Sequence, residues 1–212
     1  VSREYYYNDA GAQIDRLAES VWTRYQQQFG YDAEIPEGGY QGEYVAEIAA
    51  SLAEEYGDRF VGEQDEETLE IMRKTAIRTL REEQDRDLSD VRIHFNVYFL
   101  ESSLYEDGRV GSTVEALRET GKVFDLDGAV WLRTTEYGDQ KDRVMIKSDG
   151  SPTYFLPDVA YHIDKWERGF HHAINVQGAD HHGTVARVQA GVQALGLPVG
   201  YPEYVLHQMV RV

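Results

Sequence analysis

The sequence contains no cysteine. This excludes disulfides and thiolate metal sites and agrees with a cytoplasmic location. No apolar run approaches the roughly 18 residues that a membrane span requires, and no signal-peptide pattern is present, so no membrane partner is expected. Basic residues are scarce: 21 Lys and Arg stand against 38 Asp and Glu, a formal net charge of −17. Such a chain repels phosphate backbones over long range, so it does not supply most of the grip on a nucleic acid. Internal repeats, low-complexity tracts and a nucleophile paired with a base are also missing. Five of the seven histidines fall between positions 162 and 182, which invites a metal reading. No His-x-x-x-His spacing occurs among them, however, and adjacent histidines on a helix point about 100° apart. No resident metal site is expected.

The 212 residues, 42% of them hydrophobic, suffice for one sizeable core or one and a half domains. Val1 to Tyr7 is β-prone and aromatic. Asn8 and Asp9 offer N-cap side chains, and Ile14, Leu17, Ala18, Val21, Trp22 and Tyr25 then repeat at helical spacing to Gln28. A Gly-containing loop leads to a second helix, Glu43 to Tyr56, with Gly57 as its C-cap. A polar third helix runs from Asp65 to Leu88, and the strict alternation from Val91 to Phe99 predicts a half-buried strand with His94 on its polar side. A short helix from Gly108 to Thr120 precedes a hairpin turning at Asp127-Gly128, and a second Asp-Gly turn follows at Asp149-Gly150. The β-prone run from Tyr204 to Val212 ends the chain, and the first residue is Val1 rather than methionine. We expect an excerpt of a longer protein.

The stretch from Ser148 to Thr184 gathers the unusual polar groups. It predicts strand, tight turn, helix, strand, Gly-containing loop and helix, with Pro157 in the first turn of the first helix. Tyr154 and Asp158 flank the first corner; Gly178, Asp180, His181 and His182 occupy the second. Ligands of open α/β sheets bind outside the carboxyl ends of the strands, and helix N-termini there favour phosphate. The pattern suggests one carboxylate for a cation and one glycine corner for a nucleotide. Asp158 also reads as a first-turn helix acid favoured by the macrodipole, with Tyr154 as strand packing, and Gly178–Asp180 as a tight turn with a capping acid.

Tyr-Phe-Leu-Pro-Asp-Val-Ala-Tyr-His at 154–162, Lys-Trp-Glu-Arg-Gly-Phe at 165–170 and Gly-Ala-Asp-His-His-Gly at 178–183 resemble the second half of the catalytic domain of bacterial arginyl-tRNA synthetases. Arg3 to Ile14, Gly39 to Tyr44 and Asp127 to Leu132 also resemble that family, in order along nearly the whole chain. The family's His-x-Gly-His and Lys-Met-Ser-Lys-like elements are absent. The resemblance implies an α/β fold: an incomplete class I synthetase Rossmann-like parallel sheet interrupted by a smaller α+β insertion. Residues 1–57 and 151–212 would belong to the nucleotide-binding domain and 58–150 to the insertion. It implies arginine contacts from Tyr154, Asp158 and His181. It implies nucleotide contacts from Gly178, Asp180 and His181, and active-site lining by Asp9 and Gln13. L-arginine, ATP with Mg, and tRNA(Arg) are the implied partners. No general acid or base is expected, because the arginine carboxylate itself attacks the α-phosphorus of ATP and catalysis is mostly positioning and charge stabilisation. The fragment alone is expected to be inactive. A non-catalytic arginine- or nucleotide-binding module, or a metal-dependent hydrolase using the histidines, are the alternatives.

Overall fold

The computed structural model describes residues 1–9, 11–62 and 64–211. They divide into two compact units, Val1–Ser102 and Ser103–Val212.

The first unit is led by its helices. Strand β1 (Glu4–Tyr7) is followed by α1 (Ala12–Gln28), α2 (Glu43–Tyr56) and α3 (Glu66–Asp90). Leu17, Val21 and Tyr25 recur every four residues on α1 and meet Ile48 and Leu52 of α2 and Met72 of α3 in one buried cluster. Gln26 is buried with them. Its Nε2 donates to Phe60 O at 2.9 Å and its Oε1 accepts from Gly62 N at 3.1 Å, which pins the loop after α2. Gly57 closes α2 in a positive-φ conformation (φ 62°), as its C-cap position predicts. Asp65 caps α3 by accepting from Thr68 N at 2.8 Å.

Strand β2 (Val97–Leu100) pairs in parallel with β1, Glu4 opposite Val97 and Tyr7 opposite Leu100. The long strand expected over 91–99 is a correction. α3 runs on to Asp90, and the next residues end it. Arg92 N and Ile93 N donate back to Ser89 O and Leu88 O at 2.9 and 2.8 Å, with Arg92 at φ 61°. Val91 and Ile93 therefore stand exposed, and only Val97 to Phe99 of that run join a sheet, in β2.

The second unit opens with α4 (Glu101–Glu106, which begins at the boundary) and α5 (Arg109–Glu119). Strands β3 (Val123–Leu126), β4 (Ala129–Leu132) and β5 (Arg143–Ile146) form an antiparallel sheet in that order. Asp127 and Gly128 both take positive φ in the β3–β4 hairpin, as a two-residue primed turn requires. Helix α6 (Phe155–Glu167), β6 (Ile174–Gly178), α7 (His182–Ala194) and β7 (Glu203–His207) follow. β6 and β7 are parallel, joined by the α7 crossover. β7 stops at His207, so the run expected to Val212 is not one strand: residues 208–211 carry none, and Val212 lies outside the described residues. Asp164 of α6 is buried and pairs with Arg109 of α5 at 3.1 Å and with Arg168 at 2.6 Å, tying α5 to α6. The fold is mixed α/β with parallel strand pairs, a partial Rossmann-like arrangement.

Candidate active site

The corner before α6 is built on buried apolar anchors. Phe155, Leu156, Pro157 and Val159 are buried, which fixes the first turn of the helix. Tyr154 is the N-cap residue and is 82% exposed. It does not pack as a strand residue; its neighbours take the core and leave the phenol to solvent. Asp158 lies one turn further along and is half-buried. Residues four apart are neighbours along a helix, which puts Asp158 one turn from the Tyr154 N-cap.

The second corner lies at the carboxyl end of β6. Gly178 ends the strand, and Ala179–His181 form a 3-10 turn that delivers the chain into α7. A Cβ on Gly178 would stand 2.4 Å from Asp180 Oδ1. Only glycine lets the Asp180 carboxylate fold back against the strand end. Asp180 and His181 are otherwise solvated, with His181 Nε2 3.7 Å from Asp180 Oδ2. His182 begins α7 and, with Val185, Ala186, Gln189, Tyr204 and Leu206, lines a cavity of about 290 Å³.

Asp9 and Gln13 belong to the first unit, apart in sequence from these corners. Asp9 is not the N-cap of α1; Gly11 holds that position. Instead Asp9 accepts from Ser102 N at 2.9 Å and Ser102 Oγ at 2.6 Å, at the start of α4. The neighbouring Glu101 carboxyl is pushed up by burial, and the Asp9 charge adds to this. Gln13 is exposed on α1.

The histidines separate. His162 is buried, His171 lies against Trp166 with ring centroids 4.3 Å apart, and His172 Nδ1 is 3.3 Å from Glu203. Among the described residues no three His, Cys, Asp or Glu side chains converge as a metal site.

Sequence reasoning missed the polar layer beneath Asp158. Tyr204 of β7 lies close enough to feel the Asp158 charge: burial first, then Asp158, raises its pKa, while a hydrogen bond from Asn175 and the Arg187 charge oppose this. Asn175 and Tyr204 are opposite each other in the β6–β7 register. The available signal was the i, i+4, i+7 spacing of Asp158, His162 and Lys165 on α6.

A half-buried carboxylate one helical turn after an exposed phenol, and a glycine corner at the carboxyl end of a parallel strand, are the two features of the candidate site. Residues 37–205 match the family described as tRNA synthetases class I (R), catalytic domain, and the chain belongs to that family. It is 57% identical to the arginine–tRNA ligase of Thiobacillus denitrificans and 55% identical to that of Burkholderia vietnamiensis, in each case over the whole of this chain. The chain spans 39% and 37% of those two relatives. A crystal structure described as an arginyl-tRNA synthetase of Campylobacter jejuni superposes with a TM-score of 0.88 at 34% identity, over 98% of this chain and 45% of that one. The arginyl-tRNA synthetase of Thermus thermophilus shares the fold, with a TM-score of 0.61 at 17% identity over 97% of this chain and 41% of that one.

Proposed function

We propose that the chain is the central part of the catalytic domain of an arginine–tRNA ligase, which joins L-arginine to tRNA(Arg) through an arginyl-adenylate. The observation that carries this reading is the identity to arginine–tRNA ligases along the whole chain, 57% in the first relative above.

In this reading Asp158 receives the guanidinium of arginine. A carboxylate and a guanidinium meet through two parallel charge-assisted hydrogen bonds, each worth about 1.5–3 kcal/mol. A neutral analogue would leave Asp158 unpaired, and rejection by roughly 10⁴-fold follows. Tyr154 adds its hydroxyl and ring face above the carboxylate, and its exposure supports a ligand-facing role. His181 lines the arginine and nucleotide sites together. Gly178 allows the close approach of ribose, and Asp180 accepts from a ribose hydroxyl. Asp9 and Gln13 are proposed as lining residues on the unit that carries them.

An arginine carboxylate oxygen attacks the α-phosphorus of ATP; the new P–O bond gives arginyl-adenylate, and pyrophosphate leaves with the electrons of the broken bond. A hydroxyl of the tRNA end then attacks the arginyl carbonyl and AMP departs. Magnesium enters with the ATP phosphates, and the residues described supply no three-ligand site of their own. The elements that hold those phosphates, His-x-Gly-His and a Lys-Met-Ser-Lys-like loop, are not in this sequence. The 212-residue chain is therefore proposed to be inactive alone. We also propose residues 1–57 and 151–212 as nucleotide-binding domain and 58–150 as insertion, and a cytoplasmic location. No helix among the described residues is long and apolar enough to cross a membrane.

Aminoacylation tests the reading. The complete ligase is expected to charge tRNA(Arg) with arginine and ATP, while the isolated chain supports no arginine-dependent pyrophosphate exchange. Exchange by the isolated chain, or charging with another amino acid by the complete protein, would refute it.

A further inference from the structure

The binding of arginine and nucleotide at the two corners gives no role to three polar residues behind them. His162 and Lys165 of α6 are buried, and Asn175 is half-buried on β6. Lys165 Nζ donates to Asn175 Oδ1 at 3.0 Å. An ammonium only donates, so this contact fixes which way the amide points. The amide Nδ2 then faces His162 Nε2, also at 3.0 Å, and donates to it. His162 Nε2 therefore carries the lone pair and Nδ1 the proton. A neutral ring agrees with its depth: burial, and then the Lys165 charge, hold the His162 pKa well below the ordinary imidazole range. The ammonium itself lies over the Tyr161 ring, 3.9 Å from the centroid, which steadies a charge that burial penalises.

These contacts bridge the two elements that carry the corners. At the end of α6, Gly169 N and Phe170 N donate back to Trp166 O and Lys165 O at 2.9 and 3.0 Å and turn the chain, and β6 begins at Ile174. His162 stands one helical turn after Asp158. Asn175 stands on the same strand as Gly178, about 10 Å before it at the usual rise per residue. One amide thus holds helix and strand together, through its oxygen and its nitrogen. A slide of β6 along α6 breaks both hydrogen bonds at once, in a setting where buried polar groups are costly to leave unsatisfied.

We propose that Asn175 is a positioning residue: bridged to Lys165 and His162, it fixes the separation of the Asp158 and Gly178 corners, and with it the approach of the arginine carboxylate to the α-phosphorus of ATP. The proposal rests on the reading of those corners as the arginine and nucleotide sites. Each corner keeps its own ligand contacts when the bridge is lost; what changes is their alignment. A misplacement of about 1 Å costs about 10²-fold in rate. That loss falls on kcat rather than on either KM, because the alignment matters only in the transition state.

Arginine-dependent pyrophosphate exchange by the complete ligase, with tRNA(Arg) present, tests this. Asn175→Leu keeps the size of the side chain and removes both hydrogen bonds. It is expected to lower kcat about 100-fold, with the KM values for arginine and ATP near wild type. Asn175→Asp keeps one oxygen for Lys165 and presents the other to His162. The imidazole proton then moves from Nδ1 to Nε2, which sacrifices no contact, because Nδ1 has no hydrogen-bond partner among the described residues. This variant is expected to recover most of the lost kcat. An unchanged kcat in Asn175→Leu, a rise in either KM that accounts for the whole loss, or an Asn175→Asp variant as impaired as Asn175→Leu would overturn the positioning role while leaving the corner assignments intact. An arginine KM unchanged by Asp158→Asn would overturn the reading of the corners and the proposal with it. Lys165→Met, which keeps the buried stem and removes the donor, carries the same kcat expectation and serves if Asn175→Leu does not fold.

Discussion

At the residue scale, close approach separates the two corners of the candidate site. In the proposed site Asp158 would act through a charge it must keep, and Gly178 through the Cβ it lacks. Gly178→Ala would put a methyl 2.4 Å from Asp180 Oδ1, so the carboxylate must swing out. We expect the ATP KM to rise by about tenfold, the worth of one hydrogen bond to a charged group, with the arginine KM unchanged. Steady-state kinetics of the complete ligase read both values. The sequence singles out Tyr154, Asp158 and Gly178 because they stand at the starts of α6 and α7, beside Pro157 or at a glycine. It does not single out Asn175 and Tyr204. They are ordinary strand residues, and the parallel register of β6 and β7 brings them opposite each other; no local pattern encodes that pairing. Asp9 was legible as a capping residue but caps the wrong element by that reading: its partner is Ser102, distant in sequence.

At the element scale, the amphipathic helices α1 and α2 were readable because their apolar spacing and terminal glycines agree. Val91–Phe99 was misread because two different structures, a helix ending and a four-residue strand, happen to share one alternating pattern. Leu52 stands at the meeting of the three helices with no exposed surface. Leu52→Ala is expected to lower the unfolding free energy by about 2–5 kcal/mol, measured by urea denaturation.

In the loop before β5, both carboxylate oxygens of Asp139 accept from the guanidinium fork of Arg143, from Nε at 2.6 Å and from a terminal nitrogen at 2.8 Å. That hydrogen bonding holds the Asp139 carboxyl below its ordinary range. A depressed acid stabilises the fold above its unfolded pKa, about 3.9, and the contribution is lost as pH falls through the folded value. Asp139→Asn should therefore be less stable than wild type at pH 7, and the gap should narrow as pH falls below about 3.9, the unfolded value. A gap that persisted unchanged in acid would contradict the pair's assignment.

At the scale of the whole molecule, charge and length set the terms. A chain of net charge −17 is a poor partner for a phosphate backbone. The isolated chain is expected to bind tRNA weakly and with little dependence on salt, because few phosphates are neutralised and few counterions released. Filter binding between about 50 and 200 mM salt reads this slope; a steep negative slope would show a basic tRNA face within the chain. The chain spans 39% of the length of a ligase relative, and we propose that activity belongs to the longer protein. In that proposal this chain contributes the two corners at Asp158 and Gly178.

The central claim is that Asp158 recognises the positive charge of arginine. The most direct test is equilibrium binding of arginine and of citrulline, its neutral near-isostere, to the complete ligase and to its Asp158→Asn variant. The account predicts tight binding of arginine by wild type, rejection of citrulline by roughly 10⁴-fold, and collapse of arginine binding in Asp158→Asn. Arginine binding that survives Asp158→Asn undiminished, or citrulline bound as well as arginine, would contradict it.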